Sequence, residues 1–390
     1  MQLQSICAGL ITLLTITGCS QQLPIASSSS ELLAVNQNVT DDTNVIVLVS
    51  SNQAANRLMI NAARRGYQLN SKTGLSSLNL IMLDFERPIG VNGTIAINDM
   101  KTMEPSATAE LDHHYTIQAE ENMPSPRQYA STMINWPEHG CSAKVNIGMI
   151  DGLVDQKTER LRSAMITTRD FTNSKPLVSA HGTAIADLLV GPGRLKDAHL
   201  YSASVIGAGS KNNSSAGVSE VIEAVDWLLS SNVMLVNISL AGPYNAALDR
   251  VVKGAAAQGM IIVAAVGNDG PNALPRYPAA FEDVIAVTAI DSAHAVFAAA
   301  GRGHHVDFSA PGVDVFVDDG QSPRYLSGTS VSAPFVTALI ASDSKLATLD
   351  AVDSVRSRMA SRATDLGASG RDPVFGAGLV RVHEQCTVKS

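Results

Sequence analysis

The stretch VNIGMI at residues 145–150, followed at once by Asp151 and Gly152, decides how this chain folds. It is a short, continuous apolar run, and runs like it recur: HLYSASVI (199–206), VMLVNISL (233–240), MIIVAAV (260–266) and VIAVTAI (284–290). Between several of them lie stretches with helical spacing, such as SEVIEAVDWLLSS (219–231) and NAALDRVVKGAAAQG (245–259). Continuous apolar strands that alternate with helices predict a mostly parallel sheet covered on both faces, so the fold class is α/β. Chemistry in such sheets collects at the carboxyl ends of the strands. That puts Asp151, after the first run, and Asn268, after MIIVAAV, along one edge.

Upstream the texture differs. VIVLVS (45–50) reads as a strand and QAANRLMINAARRGY (53–67) as a helix that Gly66 stops. LNLIMLDFE (78–86) reads as a second strand and TIAIND (94–99) as a weaker third, so residues 45–118 form a small α+β domain. Residues 119–140 hold three prolines among polar residues and read as an exposed connector, while the Ser-, Asn- and Gln-rich segment 19–44 reads as a tether. The 390 residues carry 28 basic against 36 acidic side chains, a net charge of −8, with 45% hydrophobic and 16% charged residues. A chain this apolar buries a large core, which excludes global disorder. A nucleic-acid binder needs a basic face, and the acidic balance argues against one.

Residues 1–18 contain one apolar run, from about Ile6 to Ile16, with the length of a signal-peptide core and too short to span a bilayer. Ile16-Thr17-Gly18-Cys19 resembles a bacterial lipoprotein box, in which Cys19 takes the lipid and becomes the new N-terminus. An ordinary signal peptide is the other reading, favoured by the absence of Lys and Arg in MQLQS. Either way an exported protein is expected, anchored to a membrane if Cys19 is lipidated and possessing no other segment able to cross one. The cysteines left in the mature chain, Cys141 and Cys386, are a disulfide candidate in an oxidising compartment, two free buried thiols being the alternative.

Three local patterns carry chemistry. Asp151 ends a strand; Ser179-Ala180-His181-Gly182-Thr183 opens an apolar helix; Gly328-Thr329-Ser330-Val331-Ser332-Ala333-Pro334 leads into another. Each alone has a bland reading as cap, structural histidine or loop. Together they supply a hydroxyl nucleophile, the base it needs, and the carboxylate that fixes the base's tautomer. A serine at a helix N-terminus also sits where an oxyanion is held, and Asn268 in Val266-Gly267-Asn268 adds a neutral donor.

With these residues the sequence resembles the subtilases, the subtilisin-like serine peptidases. The order Asp151, His181, Ser330 is the order of subtilisin. Ser239-Leu240-Ala241-Gly242 resembles the family's substrate-binding strand, and Gly376-Ala377-Gly378-Leu379-Val380 its closing segment. The resemblance covers about residues 141–382 and implies a subtilisin-like three-layer fold over 141–390. It also implies a serine endopeptidase acting on protein or peptide substrates. Ser330 would attack, His181 would shuttle the proton, Asp151 would orient His181, and Asn268 would help hold the oxyanion. Ser239, Leu240 and Ala241 would bind substrate backbone. Residues 45–118 would be an inhibitor-like pro-domain, with Ala109–Tyr115 as its exit strand and a self-cleavage site in 119–140. An accessory domain that stays attached is the alternative.

The sequence departs from the family's boxes at Gly152-Leu153, at Ala184 in place of a second histidine, at Asp187, and at Ala241 in place of a glycine. The departures at 152–153 and 184–187 motivate the alternative of a subtilase-like pseudoenzyme serving as a surface binding or assembly lipoprotein. Arg276 falls where the family builds the floor of its first specificity pocket. A buried cation there would favour acidic substrate side chains, and an arginine turned to solvent would not. No cofactor is expected, and the short segment after the histidine helix predicts no structural calcium site. His304-His305 reads as an exposed loop rather than a metal site. A lipase or esterase of the α/β-hydrolase kind is excluded, because it needs Gly-x-Ser-x-Gly and the order Ser, Asp, His.

Overall fold

The central sheet begins at Ile147–Gly152, where the run that decides the fold becomes a fully buried strand with Asp151 as its penultimate residue. The computed structural model describes residues 44–117, 120–122, 129–172, 178–207, 215–318 and 323–383. Among the described residues seven strands make the sheet, in the order Phe308–Pro311, Val284–Ile290, Ile261–Ala265, Leu235–Ile238, Ile147–Gly152, His199–Ile206 and Met165–Asp170. Every neighbouring pair is parallel. Parallel pairing needs crossovers, and the helices that supply them shield both faces. One face packs with Ala180–Val190 and Thr329–Ser342, the other with Val218–Ser230 and Ala246–Ala256. This is the expected three-layer α/β arrangement.

The small N-terminal unit is an antiparallel sheet in the order Gln68–Leu75, Leu80–Glu86, Val45–Val49, Thr108–Leu111, with helices Asn52–Arg64 and Gly93–Met103. Val45, Val47 and Val49 point into the cluster with those two helices. Ile46, Leu48, Leu75 and Met82 point the other way, into the cluster that holds Val218–Ser230 and Ala246–Ala256 of the large sheet. Alternate residues of one strand thus enter two cores, which is why an antiparallel strand reads as unbroken apolar sequence. Polar contacts join the same faces. Ser77 donates its N–H to Asp226 at 3.0 Å, Arg250 reaches Thr108 at 2.8 Å, and Asn245 donates to the Leu111 carbonyl at 2.8 Å.

Two readings of this region are corrected. TIAIND is part of the helix Gly93–Met103 and not a strand. Asn92 accepts the Ile95 N–H at 2.9 Å and caps the helix, and Ala96, Ile97 and Met100 face the core at helical spacing. Tertiary packing overrides the strand preference of its two isoleucines. Nor is the connector exposed throughout. From Tyr129 onward Ala130, Ile134 and Trp136 are buried in the core of the large sheet, and Trp136 donates its indole N–H to the Gly193 carbonyl at 2.9 Å. Apolar side chains that find a core hold the chain down whatever its proline content.

Candidate active site

The histidine is placed by its helix start. Ser179 caps Ala180–Val190 by accepting the Gly182 N–H at 3.0 Å, so His181 lies in the first turn and faces the sheet edge. Gly182 allows that approach, since a Cβ there would lie 2.3 Å from the Gly152 carbonyl oxygen. Asp151 Oδ1 is 2.9 Å from His181 Nδ1 and also accepts the Gly152 N–H at 2.7 Å. His181 Nε2 is 3.1 Å from Ser330 Oγ. The structure therefore brings together three residues up to 179 positions apart in sequence, all buried.

Ser330 opens the helix Thr329–Ser342, and Pro334 four residues later explains a contact that the motif alone does not reveal. Proline lacks the N–H that would bond the carbonyl of residue i−4, which is Ser330. The Ser239 hydroxyl donates to that carbonyl instead, at 3.0 Å, and Asn237 donates to Ser239 Oγ at 2.9 Å. Asn237 in turn accepts from Thr337 at 3.1 Å, closing a buried polar network beneath the nucleophile. Thr329 secures the other side. Its N–H and hydroxyl both donate to Asn268 Oδ1, at 3.1 and 3.0 Å, and its Oγ1 accepts the Gly267 N–H at 3.1 Å. With its oxygen held by Thr329, the Asn268 carboxamide turns its NH2 group away from that residue. Gly267 takes φ +95°, a conformation that favours glycine and brings Asn268 to this point. Sequence reasoning missed Thr329 and Asn237. The threonine inside the Gly-Thr-Ser box was the available signal for the first, and nothing in the sequence marks the second.

The departures have local compensation. Asp187 is buried and receives Arg160 in a two-pronged pair at 2.8 and 3.0 Å. The segment after Asp151 is tied back by the Asp155 N–H on Thr183 Oγ1 at 3.0 Å and the Ser179 N–H on the Leu153 carbonyl at 2.8 Å. Arg276 packs beside Gly267 but is one-third exposed, and its Nε donates to Asp269 at 2.7 Å. It is thus a partly hydrated, paired cation and not the buried one that would select acidic side chains. Cys141 is buried, whereas Cys19 and Cys386 lie outside the described residues. Among the described residues no cluster of three His, Cys, Asp or Glu side chains suits a metal ion, and no helix is long and apolar enough to cross a membrane.

The cleft beside Ser330 is occupied by the protein's own chain. Leu240–Ala241 pairs antiparallel with His114–Ile117, whose other edge pairs with Ser215–Gly217. Tyr115 is fully buried there and donates its hydroxyl to the Pro243 carbonyl at 3.0 Å.

A doubly covered parallel sheet with a carboxylate, an imidazole and a serine hydroxyl in hydrogen-bond series at one edge defines a serine hydrolase. Residues 142–378 match the profile described as the Subtilase family, and the chain belongs to that family. It is 32% identical to subtilisin DY of Bacillus licheniformis over 259 residues, covering 62% of this chain and 90% of that one. It is 27% identical to the minor extracellular protease Epr of Bacillus subtilis (strain 168) over 267 residues, 65% of this chain but 40% of that protein. Fervidolysin from Fervidobacterium pennivorans, a keratinolytic enzyme related to subtilisin, shares the fold with a TM-score of 0.69 at 17% identity. That match covers 88% of this chain and 60% of the other. The class is that of the subtilisin-like serine endopeptidases.

Proposed function

We propose that the chain is an exported, self-processing endopeptidase that hydrolyses peptide bonds through Ser330, His181, Asp151 and Asn268. The observation that carries this reading is the position of His181, within hydrogen-bond reach of Asp151 on one ring nitrogen and of Ser330 on the other. Ser330 Oγ attacks the peptide carbonyl while His181 Nε2 takes its proton. Asp151 holds the tautomer and stabilises the imidazolium. The tetrahedral oxyanion is received by the Asn268 NH2 and the Ser330 N–H at the start of its helix. His181 then gives the proton to the leaving amine, and water releases the acyl group. Ser239, Leu240 and Ala241 bind substrate as an added strand, a role supported by the pairing of Leu240 and Ala241 with residues 116–117.

Residues 45–118 act as an inhibitor-like pro-domain. Support comes from the shared core with helices Val218–Ser230 and Ala246–Ala256 and from the strand at 114–117 that fills the cleft. Export rests on residues 1–18 and on the extracellular relative. Membrane attachment through Cys19 rests on the resemblance to a lipoprotein box, and after cleavage the catalytic domain would lose that anchor. A Cys141–Cys386 disulfide is in keeping with the Val382 N–H on the Ile134 carbonyl at 2.8 Å, which brings the chain shortly before Cys386 back near the segment that precedes Cys141. Casein hydrolysis by the purified chain, with Ser330→Ala alongside, tests the activity. Loss of about 10⁶-fold in the variant is expected for a missing nucleophile, and equal rates would refute the reading.

A further inference from the structure

We propose that the bond this enzyme cuts in its own chain is Gln118–Ala119, an assignment that rests on the self-processing reading and sharpens it. Two separate registers converge on that bond. Upstream, Thr116 lies opposite Ala241 and Ile117 opposite Leu240, so the next enzyme residue along is Ser239. Downstream, Glu120–Asn122 pairs antiparallel with Pro323–Ser327, and Glu120 lies opposite Ser327, three residues before Ser330. On the enzyme side the two registers end on either side of the nucleophile, since Ser239 donates its hydroxyl to the Ser330 carbonyl at 3.0 Å. On the other side only residues 118 and 119 separate Ile117 from Glu120, and one peptide bond joins them. Those two residues lie outside the described residues, and the assignment comes from counting between the flanking pairs.

The upstream register is pinned by Tyr115. Its ring fills the space over Gly242, where an added Cβ would lie 2.7 Å from Tyr115 Cγ, and its hydroxyl bonds the Pro243 carbonyl. A slip of one residue would carry His114 or Thr116 to that place and turn every side chain to the opposite face. Neither has a ring and phenol to match the site. The register therefore selects 118–119 over its neighbours at 117–118 and 119–120.

In the step itself, Ser330 Oγ adds to the Gln118 carbonyl carbon and its proton passes to His181 Nε2. The Gln118–Ala119 C–N bond breaks as that proton moves to the Ala119 nitrogen, leaving a Gln118 ester on Ser330. Water then adds to the ester, releasing the Gln118 carboxylate and restoring the serine hydroxyl. No oxidant or metal enters the balance.

The test follows the full-length chain by intact mass and N-terminal sequencing, with Ser330→Ala, Ala119→Pro and Ala119→Gly in parallel. The wild type is expected to yield a fragment beginning Ala-Glu-Glu-Asn, while Ser330→Ala stays whole. Ala119→Pro should lose splitting at this bond, because proline alters the leaving nitrogen and restricts the residue before it; Ala119→Gly should retain it. A new N-terminus elsewhere, with Ser330→Ala whole, overturns the bond and leaves the peptidase reading standing. A wild type that stays whole yet hydrolyses casein also overturns the bond alone. One that neither splits nor hydrolyses casein sinks both.

Discussion

Val45–Val49 and Ile261–Ala265 read VIVLV and IIVAA, and both strands are buried along their whole length, but their neighbours differ. Ile261 and Val263 enter one core of the large sheet, Ile262 and Ala264 the other, and helices of that same body cover both. In the small unit Val45, Val47 and Val49 are covered by its own two helices, while Ile46 and Leu48 are covered by helices of its neighbour. One region completes its core alone; the other completes it by docking. Each aliphatic side chain buried at that boundary contributes about 1.5–3 kcal/mol, which is large beside the roughly 5–15 kcal/mol net stability of a domain. A unit that needs its partner's helices to cover a face holds the cleft-filling strand in place for as long as it stays docked.

That contrast can be broken at several strengths. Asn268→Ala strikes the self-sufficient body and should lower kcat by about 10²–10³-fold while changing inhibition by the N-terminal fragment far less than Leu48→Ala does, since the residue meets only the fragment's last carboxyl group and not the docking face. Steady-state kinetics with and without the fragment separate the two quantities. Leu48→Ala is the converse, expected to weaken docking by about 2–5 kcal/mol, read as a rise in the fragment's inhibition constant, with kcat of the processed body unchanged. Equal loss from Val47→Ala, which faces the small unit's own helices, would blur the distinction. Ser239→Ala removes the donor that Pro334 cannot supply to the Ser330 carbonyl. It should cost about 1–3 kcal/mol of thermal stability in the body.

The smallest expected effect is on pH dependence. Asp112 of the small unit and Glu220 of the large one flank the Ser219 hydroxyl at 2.8 and 2.9 Å, and a single hydroxyl proton serves only one carboxylate at a time. Burial raises Asp112, and burial together with the Asp112 charge pushes Glu220 up to about 7. Around them stand His114, Asp84, Glu223, Asp226 and Arg169, with burial raising Asp84 to about 6. A carboxyl whose docked value exceeds its free value favours docking below the free value and loses that contribution as pH rises through the docked one. His113 opposes this in part. Burial lowers it to about 4, so its contribution is full above the ordinary histidine range and is lost as pH falls toward 4. Above the ordinary histidine range His113 is neutral whether docked or free, so the raised carboxyls set the sign: inhibition by the fragment should weaken as pH rises through about 7, and Glu220→Gln should flatten that slope.

The reactive residues were legible in sequence because each sits in a short box with its own backbone logic. His181 follows a helix cap and Ser330 a Gly-Thr at a helix start, while Asp151 ends an apolar strand. The buried strands His199–Ile206 and Val284–Ile290 were equally legible, since burial on both faces writes itself as unbroken apolar sequence. Edge strands were not. Met165–Asp170 and Gln68–Leu75 carry Thr, Arg, Ser and Lys because one edge and much of their surface meets water, and pairing with a neighbour creates them. The helix Gly93–Met103 was hidden for a related reason, its isoleucines arguing for a strand until the Asn92 cap and the facing core decided otherwise. Contacts such as Tyr115 on Pro243 and Ser239 on Ser330 join residues 128 and 91 positions apart, and no local pattern announces them.

The most direct measurement is fluorophosphonate labelling of the processed protein, with the modified residue located by peptide mass mapping and His181→Ala labelled in parallel. One adduct, on Ser330, that disappears in the histidine variant is the expected result. No adduct, or an adduct formed equally fast without His181, would contradict the assignment of Ser330 as a nucleophile activated by its neighbour.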